Sequence, residues 1–131
     1  MATAINDINS MGRFIPVDEA RALTARFRAE KEIILKPEYE KMDLLPICES
    51  FSRDNIEALL GFDGCVGIRV YLGMDDKLQV RIILTAFDES FQDILPDVQS
   101  TVAKSSVASQ TNGGTVEDGA RCPDICPNPP L

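Results

Sequence analysis

The residues best placed to do chemistry in this chain lie in the run Cys122-Pro123-Asp124-Ile125-Cys126-Pro127. Thiolates are the nucleophiles of disulfide exchange and also soft metal ligands, so two nearby cysteines suggest a reversible disulfide or a metal clip that recruits Cys48 or Cys65. The thiols are separated by three residues, one more than in the Cys-x-x-Cys of thioredoxin-like sites and most zinc knuckles, which weakens both assignments. A proline after each cysteine fixes φ and removes an amide donor, so the run is stiff and extended or turned rather than helical. A stiff segment has already lost chain entropy and docks into a groove at lower ordering cost than a flexible one. The favoured reading is therefore a docked, assembly-forming tail that uses Cys122, Pro123, Ile125, Cys126 and Pro127, seated on another copy rather than on its own chain. A solvated end, a disulfide, and a metal site on Cys122 and Cys126 remain the alternatives. Cys48 and Cys65 stand beside apolar residues and read as small buried thiols.

The chain has no histidine, so Ser-His and Cys-His nucleophilic catalysis and histidine-containing metal sites are excluded. Gly61-Phe62-Asp63-Gly64 lacks the Lys-Ser/Thr that closes a phosphate loop and precedes a strand pattern, so it reads as a turn. Asp88, Glu89, Asp93 and Asp97 have neither the ligand order nor the central glycine of a calcium loop and read as a solvated acidic face. No catalytic residue and no cofactor is assigned. A net charge of −8 argues against nucleic-acid backbones and anionic membranes as partners, since both attract clustered Lys and Arg.

These groups must be positioned by a modest core. From Pro16, a proline at a helix start, Asp18 and Glu19 in the first turn, and Val17, Ala20, Leu23, Thr24 and Phe27 at helical spacing predict a helix to about Ile34, ended by Pro37. Ser52 as N-cap, Ile56, Leu59 and Leu60 as an apolar face, and Gly61 as C-cap predict a second, short helix. Val66, Ile68, Val70 and Leu72 alternate with Gly67, Arg69, Tyr71 and Gly73, and Leu78, Val80, Ile82 and Leu84 alternate again, which predicts a β-hairpin. The tightest register that matches the apolar faces sets Leu72 opposite Leu78, Val70 opposite Val80 and Arg69 opposite Arg81. Facing arginines repel, so Arg69 and Arg81, with Tyr71 on the same face, form a candidate interaction surface. They need either carboxylates from the Asp88 to Asp97 segment or an external anion.

The run from Leu59 to Gly73, with its Gly64-Cys65-Val66-Gly67-Ile68-Arg69-Val70-Tyr71 block, resembles a group of short uncharacterised bacterial proteins. Val17-Asp18-Glu19-Ala20 with Arg28 downstream is similar to that group's first helix, as are the acidic segment holding Asp88 and Asp93 and the Cys-Pro tail. The resemblance implies an architecture and a bacterial source. It implies no activity.

The expected organisation is an arm over 1–15, an α+β core over 16–97, a polar linker over 98–121 and a Cys-Pro tail over 122–131. Two helices pack on a small antiparallel sheet built around one hairpin. An isolated hairpin is marginal, so a third strand is expected from Ile47 to Phe51, from Phe87 to Leu95, or from a second copy. With no basic-then-apolar leader and no run of ~18 apolar residues, the expected setting is cytoplasmic. The functional expectation is a non-catalytic homo-oligomer or protein-binding protein joined through the hairpin edge and tail. The alternative is a thiol redox or metal-handling protein acting through Cys122 and Cys126.

Overall fold

The computed structural model describes residues 8–96, 114–122 and 124–131. They form an α+β fold with two α-helices and two small antiparallel sheets. Helix α1 spans Val17–Glu30, begins after Pro16 and carries Asp18 and Glu19 in its first turn and Arg28 in its last, charges that suit the helix dipole. None of its residues is buried. Helix α2 spans Arg53–Leu60; the Ser52 hydroxyl accepts from the Asn55 amide at 3.2 Å, and the Gly61 amide donates to the Glu57 carbonyl at 2.9 Å. Both caps are those the sequence predicts.

Among the described residues there are five strands in chain order: β1 (Glu49–Ser50), β2 (Gly67–Met74), β3 (Val80–Phe87), β4 (Thr115–Val116) and β5 (Ala120–Arg121). One sheet has the order β2-β3-β4 and the other pairs β1 with β5. Leu59 drives the core: it is fully buried and clusters with Leu84, Ala86 and Val116, with Phe51, Ile56, Phe62, Ile68, Ile82 and Ile94 packed around them. The carboxylate of Glu49 links the two sheets by accepting the Ile82 amide at 3.3 Å, just past the point where β4 stops pairing with β3.

The hairpin forms, but its register is not the expected one. Tyr71 pairs with Ile83, Leu72 with Ile82, Gly73 with Arg81 and Arg69 with Thr85, so the two arginines do not face each other. The turn accounts for the difference. The Leu78 amide donates to the Asp75 carbonyl at 3.0 Å and the Asp75 amide to the Gln79 carbonyl at 3.1 Å, enclosing Asp76, Lys77 and Leu78 in a three-residue loop. Leu78 takes φ +67°, the left-handed position that closes such a loop. It is therefore a turn residue rather than the first residue of a strand. The slip is an even number of positions, so both strands keep the same faces while every cross-strand partner changes.

A second turn repeats the first. The Phe91 amide donates to the Asp88 carbonyl and the Asp88 amide to the Gln92 carbonyl, both at 2.9 Å, with Phe91 at φ +65°. The Asp75 side chain accepts the amides of Lys77 and Gln79, and that of Asp88 accepts those of Ser90 and Gln92. Asp75-Asp76-Lys77-Leu78-Gln79 and Asp88-Glu89-Ser90-Phe91-Gln92 thus build the same loop from an aspartate, a left-handed apolar residue and a glutamine.

The second turn returns the chain along β3. Asp93 bridges Phe87, and the Ile94 amide donates to the Ala86 carbonyl at 2.9 Å. Farther along the same edge, Thr115 and Val116 pair with Thr85 and Leu84. The third strand is thus split in two, and Gly114 and Pro96, where the halves approach, stand so close that a side chain on Gly114 would collide with the proline ring. Part of the stretch expected to be linker, 114–121, supplies both β4 and β5. The expected Ile47 to Phe51 strand appears as β1, paired with β5 rather than added to the hairpin.

Candidate functional site

The hairpin places Arg69 and Tyr71 side by side on one face, where both bond Asp93: the Arg69 guanidinium and the Tyr71 hydroxyl each donate to its carboxylate. Arg69 also donates to the Phe91 carbonyl at 3.0 Å and lies over the Phe87 ring, 5.0 Å from its centroid. Gly67 makes room for that ring; a Cβ there would sit 2.6 Å from it. Burial draws the Arg69 pKa down, but the hydrogen bonds to Tyr71 and Asp93 outweigh it and raise the value above that of a free guanidinium. An arginine charged under all ordinary conditions is thereby satisfied inside the chain by the acidic segment. Arg81 is neutralised elsewhere, with Asp118 at 3.0 Å and Glu117 at 4.0 Å. The expected facing arginines instead form two separate ion pairs within the chain, and the Arg81 Nε is buried without a hydrogen-bond partner among the described residues. Of the four carboxylates read as a solvated face, Asp88 builds a turn and Asp93 holds Arg69 and Tyr71; Asp97 lies outside the described residues.

The other edge of the hairpin is open among the described residues. No strand among the described residues pairs with the outer side of β2. The bond from the Asp75 amide to Gln79 sets the alternation, so Gly73, Tyr71 and Arg69 bond β3 while the amides and carbonyls of Ile68, Val70, Leu72 and Met74 point outward. These even-numbered residues share the apolar face on which α2 packs. With eight residues, α2 covers only the Ile68 end. Val70, Leu72 and Met74 remain exposed, Leu72 to 73%.

The tail enters the fold directly after β5. Arg121 pairs with Glu49 and sends its buried guanidinium to the Asp43 carboxylate at 2.8 Å and to the carbonyls of Asp43 and Leu44 at 2.8 and 3.1 Å. Beyond that pair, the Cys122 amide donates to the Cys48 carbonyl at 3.0 Å, so these two cysteines stand opposite each other. Cys122 is buried and bonded to Cys126, with Cα atoms 4.8 Å apart, whereas Ile125, Cys126 and Pro127 are exposed. Pro123 lies outside the described residues. A cavity of about 300 Å³ is lined by Cys122, Lys31, Asp43, Leu45 and Ile47. The Leu131 carbonyl accepts from the Thr24 hydroxyl at 2.7 Å and from Arg28 at 2.6 Å, so the tail is seated on its own chain, from β1 to α1.

Sequence reasoning located the hairpin face and the terminal thiols. It named the hairpin edge, but not Val70, Leu72 and Met74 as its exposed end; it missed Arg121, and it offered Cys48 only as an alternative to Cys65 in a metal clip with the tail thiols. The repeated Asp-x-x-apolar-Gln was the available sign of the register; no local pattern marks the contact between Cys48 and Cys122, which are far apart in sequence. Comparison with family models, curated proteins and solved structures returns no match to this chain. No helix among the described residues is long and apolar enough to cross a membrane.

Proposed function

We propose that this protein is a non-catalytic self-assembly protein whose copies join through the outer edge of β2. The observation that carries this reading is the open edge itself: outward backbone donors and acceptors combined with exposed Val70, Leu72 and Met74 on the core face. Chains that stay apart usually blunt such an edge with charge, proline or a bulge. The only charged side chain within β2 is Arg69, and it is already held by Asp93. An antiparallel pairing of β2 with a second copy can set Val70 against the second copy's Leu72 and Arg69 against its Gly73. In that register hydrogen-bonded positions meet hydrogen-bonded positions and no like charges oppose. The exposed apolar ends of the two core faces become continuous. The free thiols of half-buried Cys48 and Cys65 suit a cytoplasmic setting, in which a bond such as Cys122–Cys126 forms only transiently.

Size-exclusion chromatography with light scattering tests the proposal. At tens of micromolar the chain runs at twice the 14.4 kDa of one copy, and added salt strengthens the dimer because each copy carries −8. Leu72→Lys puts a charge on the open edge at an exposed position, so it yields a monomer with an unchanged circular-dichroism spectrum. A wild-type chain that stays monomeric at high salt sinks the reading, as does a Leu72→Lys variant that remains dimeric.

A further inference from the structure

The three cysteines around β1 and β5 form an arrangement that self-assembly does not use. In the register of β1 and β5, Glu49 pairs with Arg121 and Ser50 with Ala120, and the next positions outward are Cys48 and Cys122, joined by the Cys122 amide bond to the Cys48 carbonyl. Opposed residues of a hydrogen-bonded antiparallel pair have Cα atoms about 5.5 Å apart, inside the ~4.4–6.8 Å that a disulfide spans, and their side chains leave the same face. Cys122 is already bonded to Cys126. Its sulfur is thus bonded to one cysteine four residues along the chain, while a second cysteine stands opposite it across the strand at a backbone separation that a disulfide spans.

The three differ in exposure in a way that gives each a separate role. Cys122 is 2% exposed, Cys48 is half-buried with a free thiol, and Cys126 is exposed. Cys122 also lines a cavity with Lys31 and Asp43, and the Lys31 ammonium is itself paired with Glu32 at 3.1 Å. The remaining cysteine, Cys65, is occupied elsewhere, donating to the Gly67 carbonyl at 3.3 Å.

We propose that Cys48, Cys122 and Cys126 constitute a thiol–disulfide exchange centre, with Cys122 as the shared sulfur. Cys48 loses its proton to water and its thiolate attacks Sγ of Cys122. The Cys48–Cys122 bond forms as the Cys122–Cys126 bond breaks, and the electron pair leaves on Cys126, which takes up a proton at the surface. Two thiol-level sulfurs are exchanged and no external oxidant or reductant is consumed. The isomer so formed ties the tail covalently to β1 across a long loop, where the Cys122–Cys126 bond closes only a tight one. It also presents Cys126 as a free, exposed thiol, the form that reacts with disulfide-bearing molecules.

The test uses the full oxidised chain without reductant. It is held at about pH 8, near the ordinary thiol range, quenched in acid at intervals, alkylated with N-ethylmaleimide and digested with trypsin. The cysteines fall on separate peptides: 42–53 carries Cys48, 54–69 carries Cys65 and 122–131 carries both tail cysteines. The expected product is 42–53 cross-linked to 122–131 with one maleimide on Cys126, while 54–69 stays fully labelled. Its formation slows about tenfold per pH unit below the attacking thiol's pKa, because the thiolate is the nucleophile. Cys48→Ser leaves Cys126 unlabelled, and Cys126→Ser, treated with a low-molecular-weight disulfide, forms the Cys48–Cys122 bond directly. The proposal is overturned if wild-type Cys126 stays unlabelled, if its labelling persists in Cys48→Ser, or if Cys126→Ser yields no Cys48–Cys122 bond. A cross-link through 54–69 in place of 42–53 overturns it as well.

Discussion

At the scale of single residues, the two hairpin turns are the clearest case of side chains dictating backbone. Asp75 and Asp88 each hold two following amides, which pins the chain tightly enough to force Leu78 and Phe91 into the left-handed region. Residues with a Cβ pay for that conformation; glycine does not, and a left-handed L-residue costs roughly 1–2 kcal/mol. Leu78 and Phe91 are each 39% exposed, so glycine at either position forfeits partly buried apolar surface. For Leu78→Gly that loss is of the same size as the relief of the turn, about 1 kcal/mol, and the urea midpoint stays nearly unchanged at unchanged slope. Phe91→Gly behaves differently. The Phe91 ring also stacks on Phe87 at 6.5 Å, a contact worth about 0.5–1.5 kcal/mol, so this substitution lowers the midpoint. Equal midpoints for both substitutions would contradict this account. Glu32 provides a pH-dependent counterpart: the Lys41 amide, then the Lys31 side chain, hold its carboxyl below the ordinary glutamate range against a smaller opposing effect of burial. A lowered folded-state pKa contributes stability that is present above the unfolded value and lost as pH falls through the folded one. Carboxyl NMR should therefore show Glu32 titrating below a free glutamate, and Lys31→Met, which removes the side-chain donor and its charge, should move the midpoint upward.

Among the elements, legibility in the sequence follows the range of the forces involved. Helix α2 was readable end to end because Ser52 and Gly61 act within a turn of where they stand. The β2 and β3 faces were readable because alternation is local, whereas their register depended on Leu78 leaving the strand, which the apolar pattern hides. The pairing of β5 with β1 joins segments about seventy residues apart and rests on Arg121 reaching Asp43 and Leu44, which nothing nearby announces. Helix α1 shows the limit of periodicity in the other direction. Val17, Leu23 and Phe27 have helical spacing, yet they are exposed, and the half-buried positions are Ala20, Thr24 and Arg28. Isolated helices below about 12–15 residues are marginal in water, and α1 has 14, so its contact with the tail matters to its persistence. Deleting residues 128–131 removes the Leu131 carbonyl that Thr24 and Arg28 share. Amide exchange in α1 should then accelerate while that of the β2–β3 hairpin stays unchanged. Unaltered exchange in α1 would show that the helix is held by other means.

For the molecule as a whole, the organising feature is an edge strand laid down in two visits. Asp93 and Ile94 occupy the first positions beside β3, and Thr115 and Val116 occupy the next, with Pro96 and Gly114 in contact between them. Pro96 and Gly114, which flank residues 97–113 in the sequence, therefore stand at nearly the same point. The cost of closing the connection between them grows only with the logarithm of its length, about 0.6 kcal/mol per doubling. Everything after it, including β4, β5, Arg121 and the thiol cluster, nevertheless depends on the chain returning in register. Replacing 97–113 by four Gly/Ser residues keeps the two ends joined and shortens the loop by about two doublings. The shortened chain should fold with the same circular-dichroism spectrum and gain about 1 kcal/mol in urea unfolding. It should also retain the protected Cys122 amide, bonded to the Cys48 carbonyl, since Gly114 still meets Pro96. A variant that loses protection at β4 and β5 while keeping the β2–β3 hairpin would mean that residues 97–113 themselves hold the later strands in place, and that the contact between Pro96 and Gly114 does not.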